Sequence, residues 1–143
     1  MATDRRAEVT WHGSLFEGSG TIVSTTSGKI GEQPVSWANR AEDSPTATSP
    51  EELIAAAHAA CFSMALSNGL AKDGHAPDEL NTSATVTFQP GEGITRVALT
   101  VEGSVPGLDE QAFVAAAETA KANCPVSKAL AGVPEITLEA RLR

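Results

Sequence analysis

The sequence contains no tyrosine, and aromatic residues make up only 4% of its 143 positions. Its core must therefore be built mainly from Ala, Val, Leu and Ile rather than from stacked rings. Basic residues are also scarce. Ten Lys and Arg stand against 18 Asp and Glu, a formal charge of −8, and such a surface repels phosphate backbones and anionic lipid alike. Nucleic acid is thus not an expected partner. The richest apolar stretch, Leu53 to Leu66, is short and carries His58 and Ser63, which argues against a membrane span. The opening residues, MATDRRAEVT, lack the apolar centre of a secretory signal. A cytoplasmic location without membrane association is the expectation. Cysteine occurs only twice, at Cys61 and Cys124. In a reducing compartment a distant pair is either two core thiols or a reversible redox couple.

What is present reads as one domain over residues 1–143, long enough to bury a core without covalent staples. Partial alternation from Arg6 to His12 and from Thr21 to Ser24 predicts short strands, with further edge pieces at Lys29–Ile30 and Pro34–Val35. Ala41 to Thr48 reads as a loop. Ser49-Pro50-Glu51-Glu52 then has the composition of a helix start: a capping serine, proline at the first helical position, and acids near the positive end of the dipole. The helix runs from Leu53 to about Lys72, stops near Gly74, and is apolar nearly all round, which predicts burial on most sides. Two strands, Asn81 to Phe88 and Ile94 to Glu102, flank a Pro90-Gly91 turn. Asp109 can cap a second helix reaching about Ala122, Pro125 starts a short third one, and Glu135 to Leu142 alternates as a final strand. The class is α+β.

Few side chains offer chemistry. Cys61 lies mid-helix, roughly 16 Å past the helix start, out of reach of the N-terminal dipole. Burial there raises a thiol's pKa, so Cys61 is either inert or activated by a cation brought from elsewhere in the fold. Cys124, at the N-cap before Pro125, meets free amide groups and is the better address for a thiolate, unless it merely punctuates two helices. His58 shares a helical face with Cys61 and can pair with it, or can be satisfied by a backbone carbonyl or at an interface. Together with His12 and His75 it forms no compact metal-ligand spacing. Arg40 precedes the pre-helix loop and is either a solvated loop arginine or a fork of donors folded over the helix. Glu51 is a first-turn helix acid about 15 Å from Cys61 along one helix, so it reaches that cysteine only through a long bridging side chain or from a second subunit.

Two stretches carry a resemblance: Ser49-Pro50-Glu51-Glu52-Leu53-Ile54-Ala55-Ala56-Ala57-His58-Ala59-Ala60-Cys61-Phe62-Ser63-Met64-Ala65-Leu66 and Asn123-Cys124-Pro125-Val126-Ser127-Lys128-Ala129-Leu130. Both closely resemble the family of osmotically inducible protein C and organic hydroperoxide resistance proteins (OsmC/Ohr). The similarity extends from the Trp11 strand to the Glu135-Ile136-Thr137-Leu138 strand, and the Trp37-Ala38-Asn39-Arg40 segment is more like the OsmC branch. The resemblance implies an intertwined homodimer, with antiparallel β-sheets wrapped around two central buried helices and a site at each end of the interface. It further implies a thiol peroxidase for organic hydroperoxides. In that reading Cys61 is peroxidatic, Cys124 closes a disulfide onto it, and Arg40 and Glu51 organise the site. Glu51 matches the family's glutamate directly, and Arg40 matches by its position before the helix in this branch.

No cofactor is implied, only an external dithiol reductant of the lipoylated-protein kind. Phe62 and Met64, where they face the pocket, would favour alkyl or fatty-acid hydroperoxides. A protein of the same fold that holds a small apolar ligand, its thiols only packing, is the rival reading. A thiol–disulfide oxidoreductase acting on proteins fits less well, because the C-x-x-C spacing is missing.

Overall fold

The computed structural model describes residues 1–42 and 45–143. Residues 43 and 44, part of the loop expected over Ala41 to Thr48, lie outside the described residues. The chain forms two compact units, Met1–Pro50 and Glu51–Arg143.

In the first unit β1 (Ala7–His12), β2 (Ser19–Thr25) and β3 (Gln33–Val35) form an antiparallel sheet in that order. Lys29–Ile30, expected as an edge piece, lies instead in a turn. The Lys29 amide donates to Ser27 Oγ (3.2 Å) and the Ile30 amide to Thr25 Oγ1 (3.3 Å). Local hydroxyls thus take the amides that a strand would offer to its neighbour. Trp37–Ala41 forms a short helix, α1. Ser36 caps it by accepting from the Asn39 amide, an N-cap contact the alternation pattern does not reveal. Asn39 Oδ1 in turn accepts from the amides of Thr46 (2.7 Å) and Ala47 (3.1 Å) and ties the following loop to α1.

The second unit is organised by α2 (Pro50–Lys72), with Glu51 and Glu52 in its first turn. It stops as expected: Gly74 adopts φ +84°, the His75 amide donates to the Leu70 carbonyl (2.8 Å), and the Gly74 amide donates to that of Ala71 (3.1 Å). Only a residue tolerant of the left-handed region closes a helix in this way. Burial is not all round, however. His58, Phe62, Leu66 and Leu70 form one buried stripe at four-residue intervals, while Ala56, Ala57, Ala60 and Met64 stay exposed. Within the second unit the one sheet covers one face of this helix, and its other apolar face is not packed against that sheet. Contrary to the reading of its apolar stretch, α2 is long and apolar enough to cross a membrane by length and composition alone.

Beneath the buried stripe lies a sheet in the order β4 (Glu79–Gln89), β5 (Gly93–Ser104), β6 (Glu135–Leu142). The β4–β5 hairpin is antiparallel, but β6 runs parallel to β5, with Val97 opposite Ile136 and Leu99 opposite Leu138. This corrects the expectation of purely antiparallel sheets. Helices α3 (Glu110–Asn123) and α4 (Pro125–Ala129) carry the chain back along the sheet, which is what a parallel return requires. Asp109 caps α3 by accepting from the Ala112 amide (2.8 Å). Phe62, Leu66 and Leu70 of α2, Leu99 and Val101 of β5, and Phe113, Ala117 and Ala120 of α3 form one core that also encloses Cys124. The α+β class stands.

Candidate active site

Cys124 ends α3 and begins α4. Its amide donates to the Ala120 carbonyl (2.8 Å), and its own carbonyl accepts from the Lys128 amide (3.0 Å). Pro125, at the first helical position of α4, offers no N–H to continue α3, so the chain turns at Cys124. The Cys124 side chain is fully buried, whereas Cys61 on α2 is only partly buried. The two sulfur-bearing residues, far apart in the chain, approach to 3.3 Å with both thiols free.

Their electrostatics differ. Burial pushes the Cys61 thiol up, the Val126 amide opposes this, and the neighbouring Cys124 adds further upward pushes, each smaller than the Val126 contact. Burial acts in the same direction on Cys124, but there it is outweighed. The Ser127 amide, the Cys61 thiol, the Ser127 hydroxyl and the Val126 amide all favour the charged sulfur, and Cys124 is held below the ordinary thiol range. Cys124 closes no capping hydrogen bond of strict geometry; the amides act on it as oriented dipoles. Within one chain Cys124 is thus the readier thiolate and Cys61 the readier donor, as the position of each residue in its helix led one to expect.

His58 pairs with neither cysteine. Its Nε2 lies 2.7 Å from Ser127 Oγ in a buried contact. Ser127 is a site residue that sequence reasoning missed. The available signal was its place three residues after the N-cap Cys124, where a hydroxyl reaches back toward the capping residue.

An open groove of about 700 Å³ runs between α2 and α3, lined by small side chains such as Ala65, Gly69 and Ala116 and by the polar Lys72, Asp73 and Asn123; neither cysteine is among its lining residues. Phe62 and Met64 do not line it: Phe62 is locked in the core and Met64 points to the surface at 72% exposure. Four-residue spacing along α2 puts Phe62 in the buried stripe and turns Met64 away from it.

Of the other expected site residues, Glu51 is buried in the first turn of α2, about 15 Å along the helix from Cys61. Arg40 is half-buried in the last turn of α1, in the first unit. Among the described residues no group of three or more His, Cys, Asp or Glu is disposed to hold a metal ion.

Residues 41–139 match the family described as OsmC-like protein. Peroxiredoxin OsmC of Escherichia coli (strain K12) is 43% identical, with 100% of this chain and 99% of that protein covered. Organic hydroperoxide resistance protein OhrA of Bacillus subtilis (strain 168) is 32% identical over 70% of this chain and 72% of its own length. Among solved structures, the organic hydroperoxide resistance protein OsmC of Legionella pneumophila superposes with a TM-score of 0.70 at 24% identity, covering 95% of this chain and 96% of that one, a likeness of fold. On the length and identity of these matches, the chain belongs to the OsmC-like protein family.

Proposed function

We propose that this protein is a cytoplasmic two-cysteine peroxidase that reduces organic hydroperoxides to alcohols. The observation that carries the reading is the approach of two free thiols to 3.3 Å. The names of its relatives, a peroxiredoxin and an organic hydroperoxide resistance protein, support it. Accessibility supports the roles of the two cysteines. A peroxide must reach the attacking sulfur, and Cys61 is partly exposed while Cys124 is fully buried.

The Cys61 thiolate attacks the terminal peroxide oxygen. The O–O bond breaks, the alkoxide leaves as alcohol after taking a proton, and Cys61 becomes a sulfenic acid. Cys124 then attacks the Cys61 sulfur, the S–O bond breaks, and the hydroxyl departs as water with the remaining proton. An external dithiol, of the kind borne by lipoylated proteins, reduces the resulting disulfide. Because burial and Cys124 both disfavour the Cys61 thiolate, the first step needs a cation at Cys61, and we assign that role to Arg40, with Glu51 holding the guanidinium. No further cofactor enters.

Residues 1–143 act as one family domain, and two copies pair through the open apolar face of α2, their sheets wrapping the paired helices. Ala56, Ala57 and Ala60 on that face let a second helix come close. The alanines of the α2–α3 groove, beside its Lys72, Asp73 and Asn123, leave room for an alkyl chain, which supports a preference for organic peroxides over hydrogen peroxide.

The test is stopped-flow oxidation of pre-reduced protein by cumene hydroperoxide and by hydrogen peroxide, with thiols counted afterwards. Fast loss of both thiols, preference for the organic peroxide and abolition by Cys61→Ser are expected. Slow, unselective oxidation that survives the substitution sinks the reading and leaves a ligand-binding protein of the same fold.

A further inference from the structure

His58 is fully buried, yet only one of its ring nitrogens is used. Nε2 meets Ser127 Oγ at 2.7 Å, while Nδ1 has no hydrogen-bond partner among the described residues. That asymmetry decides the tautomer. A buried N–H without an acceptor costs more than a buried lone pair without a donor, so the proton sits on Nε2 and Nδ1 carries the lone pair. His58 therefore donates to Ser127 Oγ. Ser127 stands three residues after Cys124, in the first turn of α4, and its hydroxyl favours charge on that sulfur. With its oxygen accepting from His58, the hydroxyl proton is left for Cys124, which orders the donors one way, from His58 Nε2–H through Ser127 O–H toward Cys124, inside the second unit.

We propose that His58 and Ser127 are positioning residues that hold Cys124 as the leaving sulfur when the Cys61–Cys124 disulfide is reduced, so that the dithiol always attacks Cys61. The proposal rests on the two-cysteine reading above and adds the direction of the reductive half-reaction. Two features act together. Cys124 is fully buried while Cys61 is partly open, so an incoming thiolate meets Cys61. The donor chain ends on Cys124, so negative charge released there is stabilised, and the better-stabilised thiolate leaves faster.

In this step a dithiol thiolate forms a bond to the Cys61 sulfur. The bond between the Cys61 and Cys124 sulfurs breaks, and its electron pair departs on Cys124 as a thiolate facing Ser127. The second thiol of the reductant then attacks its own mixed disulfide, releasing Cys61 as thiolate and leaving the reductant as a cyclic disulfide. The same donor chain keeps Cys124 ready as a thiolate for its attack on the oxidised Cys61 in the next cycle.

The experiment uses full-length protein oxidised with diamide, so that its outcome does not depend on peroxidase turnover. Disulfide reduction by dihydrolipoamide is timed for the parent, Ser127→Ala, Ser127→Thr, His58→Leu and His58→Gln. The titration of Cys124 is followed by thiolate absorbance in a Cys61→Ser background, with and without Ser127→Ala. Loss of the hydroxyl is expected to slow reduction several-fold and to raise the Cys124 titration by about one pH unit, the scale of one hydrogen bond to a charged group. Ser127→Thr, which keeps the hydroxyl, and His58→Gln, which keeps an N–H donor, are expected to recover most of the rate that Ser127→Ala and His58→Leu lose. Trapping with a monothiol is expected to place the adduct on Cys61. An adduct on Cys124, an unmoved titration in Ser127→Ala, or failure of diamide to close the disulfide each overturns the proposal. Should peroxide consumption fail while these results hold, the fault lies with the peroxidase reading alone.

Discussion

Cys61 and Cys124 stand 3.3 Å apart as free thiols, one at the middle of α2 and the other at the junction of α3 and α4. One equivalent of cumene hydroperoxide is therefore expected to consume both thiols of a chain. Because the bond closes a loop of roughly 60 residues, the oxidised form gains up to ~4 kcal/mol by restricting the unfolded chain. A higher urea midpoint, reversed by dithiothreitol, is the signature. An unchanged midpoint with both thiols lost would mean that the cysteines oxidise separately.

Arg40 carries the peroxidatic step in the proposed reading, since burial and Cys124 otherwise hold the Cys61 thiol protonated near neutrality. Arg40→Met is expected to lower the peroxidase rate at neutral pH by roughly 10–100-fold, the consequence of losing an opposite charge beside a titrating group. The alkaline-rising limb of the pH–rate profile should move to higher pH, and Arg40→Lys should restore part of it. A profile that stays in place removes Arg40 from the site.

Burial holds His58 below its ordinary pKa of 6.5. The unfolded chain therefore binds a proton more readily than the folded one. The stability that the neutral imidazole contributes is present above 6.5 and is lost as pH falls through the folded value. Urea midpoints measured downward from neutral pH should fall in the parent protein, and His58→Gln, which does not titrate, should flatten that slope. Equal slopes in the two proteins would show that other groups govern the acid limb.

Gly103 faces the ring of Phe113, and a Cβ built on it would lie 2.6 Å from Phe113 Cζ. Phe113 is fully buried and cannot swing clear. Gly103→Ala is expected to cost about 1–3 kcal/mol by overpacking, read as a lower urea midpoint with an unchanged slope. A neutral outcome would mean that β5 and α3 can separate at no cost.

The exposed alanines of α2 test the proposed pairing. Ala60→Arg puts a charge in the middle of the open apolar face. Light scattering should give a mass near twice 14.7 kDa for the parent and near the single-chain mass for the variant. If both proteins have one chain's mass, the face has another occupant.

Much of the second unit was legible because local signals there agree with tertiary packing. Pro50 with Glu51 and Glu52, the stop at Gly74, the cap at Asp109 and the break at Pro125 are chemical signals within a few residues of one another, and each marks an element end in the structure. The first unit was less so. α1 depends on a Ser36 hydroxyl capping a five-residue turn, and the Lys29–Ile30 amides are taken by turn hydroxyls, so neither leaves a hydrophobic period to read.

The sequence by itself determined the α+β class, the helix that carries Cys61, and the placing of Cys124 at a helix N-cap, because capping, proline geometry and side-chain periodicity act over short stretches of chain. Only the tertiary structure decided that the two sulfurs meet, that β6 runs parallel to β5, that α2 buries one stripe rather than its whole circumference, and that His58 answers to Ser127 rather than to Cys61. Those contacts join residues distant in sequence, and no local propensity encodes which of two apolar faces meets a sheet or which hydroxyl a buried imidazole finds.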